Sequence, residues 1–369
     1  MDTDHSARAD PHTPVTLLTG FLGSGKTTLM NRALKHPVMA RTAVVINEFG
    51  AIAIDHALTT ASNDTILVLE NGCLCCTVFG DLVQTLNRLY HAREAGELSF
   101  DQVLIETSGL ADPAPVLQAF LSEPTLEGLY RVTAVVATID AVNGADTLTE
   151  HAVSVRQVAL ADHLLLTKLD LLAADERAAV QAALSARLRR LNPSAGISAA
   201  DDPQLDVLPL LRQPLPEPGT QSQAMRGWLA ANAAASVTLP VEHSHHDSIA
   251  SFHLVREAPL PREALTLLLN SLEKHLGPCL LRVKGLVNVS EEPQQPAVIQ
   301  GAQHLLHNLT WLERWPDADH RTRIVFITQG IAPAELAELV NLLERVAQRT
   351  ANARLRAAGP RAAADAEMS

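Results

Sequence analysis

Residues 15–28 read VTLLTGFLGSGKTT, an apolar run that leads directly into a glycine-rich loop ending in lysine and threonine. The apolar run predicts a buried strand and the residues after Lys26 predict a helix, so the loop joins a strand to a helix. In that context backbone N–H groups can surround phosphate oxygens, Lys26 supplies positive charge for the β- and γ-phosphates, and Thr27 can bind Mg²⁺. The predicted phosphate-binding residues are Gly20, Gly23, Ser24, Gly25, Lys26, Thr27 and Thr28.

Outward from this loop, short apolar runs alternate with helical patterns as far as about residue 200. The predicted strands lie at 15–19, 43–46, 65–69, 103–106, 132–139 and 164–167, and the predicted helices at 26–35, 81–94, 113–121 and 174–191. This alternation predicts an α/β fold, a P-loop NTPase domain with a mostly parallel sheet covered by helices on both faces. Ligands of such sheets bind at the carboxyl ends of the strands.

A change in composition divides the chain, whose 369 residues favour two domains. A segment rich in Pro, Gly, Gln and Ser, with a histidine cluster, is typical of a linker, and the strand and helix patterns after it predict a smaller α+β domain. The expected boundaries are a disordered leader at 1–13, a P-loop domain at 14–212, the linker at 213–249, the α+β domain at 250–350 and a tail at 351–369.

Charge and composition disfavour several classes of protein. A net charge of −12 and only 3% aromatic residues disfavour nucleic-acid binding. The sequence has neither a secretory signal nor an apolar run of about 18 residues, the length that a membrane-spanning helix needs. Three of the four cysteines lie within four positions, which suits metal chemistry in a reducing compartment. We therefore predict a cytoplasmic protein without nucleic-acid or membrane partners.

The motif Glu106-Thr107-Ser108-Gly109 lies at the end of the predicted strand at 103–106. Glu106 could hold the Mg²⁺ shell or orient water, and Gly109 could contact the γ-phosphate through its N–H. The alternative for Glu106 is a cap for the helix beginning near Pro113, a role that Asp112 fits better.

The motif Thr167-Lys168-Leu169-Asp170 predicts the choice of base. Asp170 would accept hydrogen bonds from N1–H and the 2-amino group of guanine, a donor pair that adenine lacks. Lys168 would pack its alkyl stem along the base. The pattern favours GTP, the alternative being ordinary loop charges.

The cysteine motif Cys73-Leu74-Cys75-Cys76 follows a predicted strand and an Asn-Gly turn. Thiolates are soft donors that Zn²⁺ and Cu⁺ favour. Because one loop supplies three sulfurs, the fourth tetrahedral position is left for another ligand, which suits a carrier. The alternatives are buried small hydrophobic residues or a redox pair.

The linker histidines His243, His245 and His246 could be auxiliary metal ligands, since imidazoles bind Zn²⁺ reversibly near neutral pH. Solvated linker residues are the alternative. We predict that the fourth cysteine, Cys279, is a core residue.

The combined motifs resemble the CobW-type family of metallochaperone GTPases, relatives of the accessory GTPases for urease and hydrogenase. The resemblance covers nearly the whole chain and rests on the stretches 20–28, 47–50 with Asp55, 70–76, 106–113, 167–170, 282–285 and 323–326. One departure is Thr167, where many GTPases carry Asn.

The resemblance implies that Glu48 lies in a switch-like segment and reaches the metal loop or the γ-phosphate. Glu48, Glu106 and Asp55 are then candidate catalytic bases. It also implies that GTP orders the switch segments and the cysteine loop around Zn²⁺, and that hydrolysis releases the metal to a client metalloprotein. Ligand softness favours Zn²⁺ and is also compatible with Co²⁺. The candidate partners are that client and a second copy of the chain.

Three other functions remain open at this point. A P-loop kinase or other ATP-driven enzyme with structural cysteines predicts ATP preference, against which Asp170 argues. A nucleotide-stabilised zinc buffer or sensor predicts negligible hydrolysis, against which the complete phosphate loop argues. A regulatory GTPase that acts by binding proteins would not need the cysteines.

Overall fold

The computed structural model describes residues 12–47, 66–69, 77–202, 204–215, 249–277, 279–302, 305–306 and 309–366. The chain forms two compact units, whose described residues lie at 12–215 and at 249–366. No helix in these ranges is long and apolar enough to cross a membrane. Most of the predicted leader and most of the predicted linker lie outside the described residues, so their boundaries stay predictions.

The first unit contains a seven-stranded sheet in the order β3-β2-β4-β1-β5-β6-β7. Its strands are β1 (Thr13–Gly20), β2 (Thr42–Asn47), β3 (Ile66–Leu69), β4 (Gln102–Thr107), β5 (Tyr130–Asp140), β6 (His163–Thr167) and β7 (Gly196–Ala199). Every neighbouring pair is parallel. Central strands β1 and β4 are buried along almost their whole length, which explains their continuous apolar sequence.

The described part of the first unit also contains eight α-helices, seven before β7 and one after it. They are α1 (Lys26–Leu34), α2 (Thr77–Glu94), α3 (Ala114–Ser122), α4 (Pro124–Glu127), α5 (Gly144–Glu150), α6 (Ala152–Leu160), α7 (Arg177–Leu191) and α8 (Leu208–Leu211). Leu29 and Met30 of α1 and Leu211 of α8 pack with Leu18 of β1 on one face of the sheet. The preceding residue of β1, Leu17, points to the other face of the sheet and is buried too, so both faces are covered.

The second unit is an antiparallel sheet with two helices. Its strands are β8 (Ile249–Arg256), β9 (Leu280–Val287), β10 (Ala297–Ala302), β11 (Leu305–Leu306), β12 (Thr310–Trp311) and β13 (Thr322–Gln329). The order is β11-β10-β9-β13-β8, with β12 paired to β10. Helices α9 (Arg262–Leu276) and α10 (Pro333–Ala366) form one core with the sheet, to which α9 contributes Leu265, Leu268 and Leu272 at helical spacing.

The predicted fold class is confirmed: a parallel α/β P-loop unit is followed by a smaller α+β unit. The sequence analysis missed β7 and the short helices α4, α5, α6 and α8. Strand β7 has only four residues, all partly buried, and therefore has no apolar run to detect. Helix α10 continues to Ala366, through most of the predicted tail at 351–369, because these residues are rich in the strong helix formers Ala and Arg.

Candidate nucleotide-binding site

The predicted phosphate loop lies between the carboxyl end of β1 and the start of α1. Gly20, Gly23 and Gly25 have positive φ values of 135°, 71° and 92°. Residues with a side chain rarely adopt this region. A Cβ atom at Gly20 would also lie 2.5 Å from the carbonyl oxygen of Thr138. The loop conformation therefore requires glycine at this position.

Lys26 brings its charge into the loop. The side chain is buried, and Nζ donates hydrogen bonds to the carbonyl oxygens of Gly20 (2.9 Å) and Phe21 (3.2 Å). The ammonium thus lies beside the first turn of α1, whose free N–H groups and dipole also favour an anion. Both contributions make this position suitable for phosphate.

Glu106 contacts the first turn of α1. Because β1 and β4 are neighbours, with Leu18 beside Glu106, this carboxylate lies close to the phosphate loop. Thr27 Oγ1 donates to Glu106 Oε1 at 2.6 Å. Asp112, and not Glu106, accepts the hydrogen bond from Ala114 N at the start of α3 (3.0 Å). A hydroxyl and a carboxylate oxygen are the hard donors that Mg²⁺ prefers, so these residues fit that ion.

The base-recognition motif follows β6 and is tied to the phosphate loop. Thr167 Oγ1 contacts the carbonyl oxygens of Ser24 (2.7 Å) and Ile139 (3.1 Å). Lys168 has a φ of 61°, which is uncommon for a residue with a side chain. Asp170 is exposed at the same edge of the sheet. The Thr167 hydroxyl therefore links the two motifs directly.

Asp140, at the end of β5, is a site residue that the sequence analysis missed. Its carboxylate lies 2.7 Å from Lys168 Nζ and also accepts hydrogen bonds from Asn143 Nδ2 (3.0 Å) and Val142 N (2.8 Å). Burial raises the pKa of this carboxyl, but the hydrogen bonds from Lys168, Asn143 and Val142 outweigh that effect and hold the pKa below its ordinary value. Asp140 therefore holds Lys168 by charge. The one feature of the sequence that could have indicated Asp140 is its position directly after the predicted strand at 132–139.

We expect Asp140→Asn to weaken guanine-nucleotide binding about tenfold, or about 1.4 kcal/mol, because Lys168 loses its ionic partner. Displacement of a fluorescent GDP analogue measures this. Since a lowered pKa keeps the carboxylate ionised, the affinity of the unsubstituted protein should lose this contribution only below about pH 4. The control is Asp101→Asn, which removes ion pairs with Arg212 (3.0 Å) and Arg41 (3.3 Å) just before the amino end of β4, the end opposite Glu106. Equal affinities for all three proteins would contradict the role.

Two cavities border this unit. One of ≈ 340 Å³ lies beside the phosphate loop, and among its lining residues are Phe21, Gly23, Asp140, Asn143, Gln157 and Lys168. The other, of ≈ 360 Å³, is lined by α1 residues and by Asp201, Asp202 and Asp206. Three carboxylates are unfavourable for a phosphate ligand. The first cavity is therefore the better candidate for the edge of the nucleotide site.

Gly109 lies against the phosphate loop, where a Cβ atom would be 2.6 Å from Leu22 N. Cys279 is half-buried just before β9, more exposed than the core position predicted for it. Several predicted site residues lie outside the described residues: the candidate base Asp55 and the predicted metal ligands Glu48, Cys73, Cys75, Cys76, His243, His245 and His246. In the part of the chain that the structure describes, no group of three or more His, Cys, Asp or Glu side chains could hold a metal ion.

Comparison with known proteins identifies the family. Residues 14–198 match the CobW/HypB/UreG nucleotide-binding domain, and residues 249–343 match the cobalamin synthesis protein CobW C-terminal domain. The zinc chaperone YjiA of Escherichia coli is 32% identical over 85% of this chain and 93% of its own length. The zinc chaperone CobW of Pseudomonas aeruginosa is 31% identical over 88% of this chain and 89% of its own.

A solved structure supports the same assignment. The crystal structure of the Zn(II)-bound YjiA GTPase from E. coli has a TM-score of 0.65 and 27% identity, and the match covers 90% of this chain and 99% of that one. Both the family models and the full-length relatives span the two units. The chain therefore belongs to the CobW/HypB/UreG family of P-loop GTPases.

Proposed function

We propose that this protein is a metallochaperone that binds a transition metal, Zn²⁺, at its cysteine loop and delivers it to a client protein under the control of GTP. Its enzymatic activity is hydrolysis of GTP. The observation that carries the proposal is the assembly, at one edge of the sheet, of the phosphate loop, the Thr27–Glu106 pair and the base motif joined to it by Thr167. Relatives that are named zinc chaperones support the metal.

Each described residue of the site has a role in hydrolysis. Lys26 and the first turn of α1 stabilise the negative charge that develops on the β- and γ-phosphate oxygens. Thr27 and Glu106 would hold Mg²⁺, which when bound supplies positive charge that offsets the charge of the phosphates. Asp140 orients Lys168 so that its alkyl stem packs along the base, and Asp170 selects guanine.

The strand that precedes the cysteine motif in the sequence, β3, ends at the same edge of the sheet. The register of β2 and β3 pairs Asn47 with Leu69, so the segments at 48 and at 70 both start where the parallel strands end. Strands β2 and β4 separate β3 from β1, a distance of about 14 Å at the usual strand spacing. We propose Glu48, which follows β2 in the sequence, and Glu106, at the end of β4, as the intermediates between metal and nucleotide.

The proposed coupling between nucleotide binding and zinc binding is a thermodynamic linkage. GTP can change zinc affinity only if the conformation that binds GTP better also binds zinc better. We propose that Gly109 contributes by contacting the γ-phosphate, since it already lies against Leu22 of the phosphate loop. Cys73, Cys75 and Cys76 would hold the metal as cargo, with Glu48 as a further ligand and His243, His245 and His246 as auxiliary ligands. The client, and a second copy of the chain, are the proposed partners in the cytoplasm.

A competition titration tests this proposal. Zn²⁺ is added to the reduced protein with a slowly hydrolysed GTP analogue, with GDP and without nucleotide, against a chromogenic chelator. We expect zinc affinity to be at least about tenfold higher in the GTP-like state, a coupling of about 1.4 kcal/mol. The Cys73/Cys75/Cys76→Ser variant should lose this difference.

The control is Cys279→Ser, which removes the thiol in the second unit and should leave the titration unchanged. Equal zinc affinity in all three nucleotide states would refute the carrier mechanism and favour a zinc buffer. Persistence of the coupling in the triple-serine variant would exclude the cysteine loop as the site.

A further inference from the structure

Helix α6 contacts the loop that connects β4 to α3, which carries Glu106 and Gly109. Gln157 of α6 is only 1% exposed, and its Nε2 donates hydrogen bonds to the carbonyl oxygens of Gly109 (3.2 Å) and Ala111 (3.1 Å). The two bonds join residues almost 50 positions apart in the chain. One side-chain amide therefore holds two points of this loop.

The neighbouring side chain holds a third point. Arg156 forms an ion pair with Asp112 (2.8 Å), the residue whose carboxylate caps α3. Since both side chains of the pair are about three-quarters buried, solvent screens it less than a surface pair. Helix α6 thus contacts the loop at residues 109, 111 and 112.

Helix α6 is itself fixed against the phosphate loop. Ser154 Oγ donates to the carbonyl oxygens of Thr147 (3.0 Å) and His151 (2.8 Å), which joins α6 to α5. The His151 ring, between the two helices, stacks on Phe21 of the phosphate loop with centroids 4.5 Å apart. The position of the Gly109 loop relative to the phosphate loop is therefore set through α6.

Stability alone does not explain the amide at position 157. Among the described residues no donor lies within hydrogen-bonding distance of Gln157 Oε1, although the atom is buried. A buried acceptor without a partner is unfavourable, and a side chain of similar shape without that oxygen would avoid the penalty. The part of the Gln157 side chain that contacts the Gly109 loop is therefore its NH2 group, which donates to the two carbonyl oxygens.

We propose that Gln157 is a positioning residue for GTP hydrolysis, which holds the Gly109 loop so that Glu106 and Gly109 face the phosphates. The proposal rests on the GTPase activity and is independent of the metal. A loop displaced by about 1 Å can lower the rate of a reaction about a hundredfold without a comparable loss of binding. The effect should therefore appear in kcat.

The first test is Gln157→Met, which keeps the length of the side chain and removes both hydrogen bonds. We expect kcat for GTP hydrolysis to fall between about 10- and 100-fold, while KM and GDP affinity change less than about twofold. The matched control is Gln102→Met. It also removes a buried amide, which bonds to Thr42 Oγ1 (2.6 Å) at the opposite end of β4, and it should leave kcat unchanged.

The second test separates positioning from packing. In Gln157→Glu an ionised carboxylate would face two carbonyl oxygens and repel the loop, so kcat should be lower than in the methionine variant at pH 8. Burial and the carbonyls raise the pKa of the introduced carboxyl by up to about 3 units above its usual ~4.3. Below about pH 6 its O–H can donate to the loop, and kcat relative to the unsubstituted protein should recover.

The titratable groups near this position include Asp112, Arg156 and His151, together with Asp140 and Lys168, which line the same cavity as Gln157. They are unchanged in every variant, so the ratio to the unsubstituted protein removes their contribution. A methionine variant with kcat within twofold of the unsubstituted value would overturn the proposal. So would a glutamate variant that shows no recovery in acid, since a packing defect does not depend on the proton. Absence of GTP hydrolysis in the unsubstituted protein would instead refute the GTPase activity itself.

Discussion

Replacement of Lys26 by methionine is expected to reduce the single-turnover rate of GTP hydrolysis by about a thousandfold, the largest effect on rate among the variants considered. Removal of one preorganised donor to a developing oxyanion costs about 10²–10³ in rate, and Lys26 also carries a full charge. Its ammonium is held within the loop by the carbonyl oxygens of Gly20 and Phe21. Phosphate release with the protein in saturating excess over GTP measures the rate.

The control is Lys35→Met, at the exposed carboxyl end of the same helix, which should hydrolyse GTP normally. Thermal unfolding of both variants shows whether they are folded. Methionine fills much of the volume of the lysine stem, so we expect the melting temperature to change little. Rates within tenfold of the unsubstituted protein would contradict the role of Lys26. Catalysis would then have to come from other groups of the site.

The phosphate loop could be predicted from the sequence because its information is contiguous. The apolar strand, the glycines and Lys26 lie within fourteen residues, and each has a local physical reason. The sheet could be predicted for a similar reason, since continuous apolar runs are typical of parallel strands buried on both faces. The sequence left two interpretations of Glu106 open, because its contact with Thr27 joins β4 to α1, 79 positions away in the chain.

The contacts of Asp140 and Gln157 could not be predicted because their partners are distant in the sequence, although Asp140 could have been noticed at the end of a predicted strand. Asp140 contacts Lys168, which lies 28 positions later, and Gln157 contacts the Gly109 loop across the sheet. Both belong to or adjoin α5 and α6, helices of seven and nine residues that carry little periodic signal. In so short a helix, the sequence does not show whether a polar residue such as Gln157 is buried or lies on the surface.

The role of Thr167 also needed the structure. The sequence indicated a departure from the asparagine found in many GTPases, without indicating whether threonine could replace it. Its hydroxyl contacts the Ser24 carbonyl oxygen at 2.7 Å, so a shorter side chain still joins the base motif to the phosphate loop. We therefore expect base choice in this motif to depend on Asp170.

We expect Asp170→Asn to lower GTP affinity about a thousandfold and to raise affinity for XTP. The carboxylate accepts hydrogen bonds from N1–H and the 2-amino group of guanine, whereas asparagine could accept only from N1–H and would present its NH2 donor to the 2-amino donor. Sites that hydrogen-bond a ligand group reject a mismatched analogue by about 10⁴–10⁵, and solvent at this exposed residue reduces that figure. Xanthine has a carbonyl in place of the 2-amino group, so the amide can donate to it.

Displacement of a fluorescent GDP analogue by GTP, XTP and ATP measures the preference, with Asp175→Asn as the control on a neighbouring exposed carboxylate. A change of preference from GTP to XTP in the Asp170 variant alone would assign base recognition to that side chain. Equal binding of GTP and ATP by the unsubstituted protein would remove the reason for a guanine-specific switch. A P-loop enzyme with structural cysteines would then explain the phosphate loop better than a carrier does.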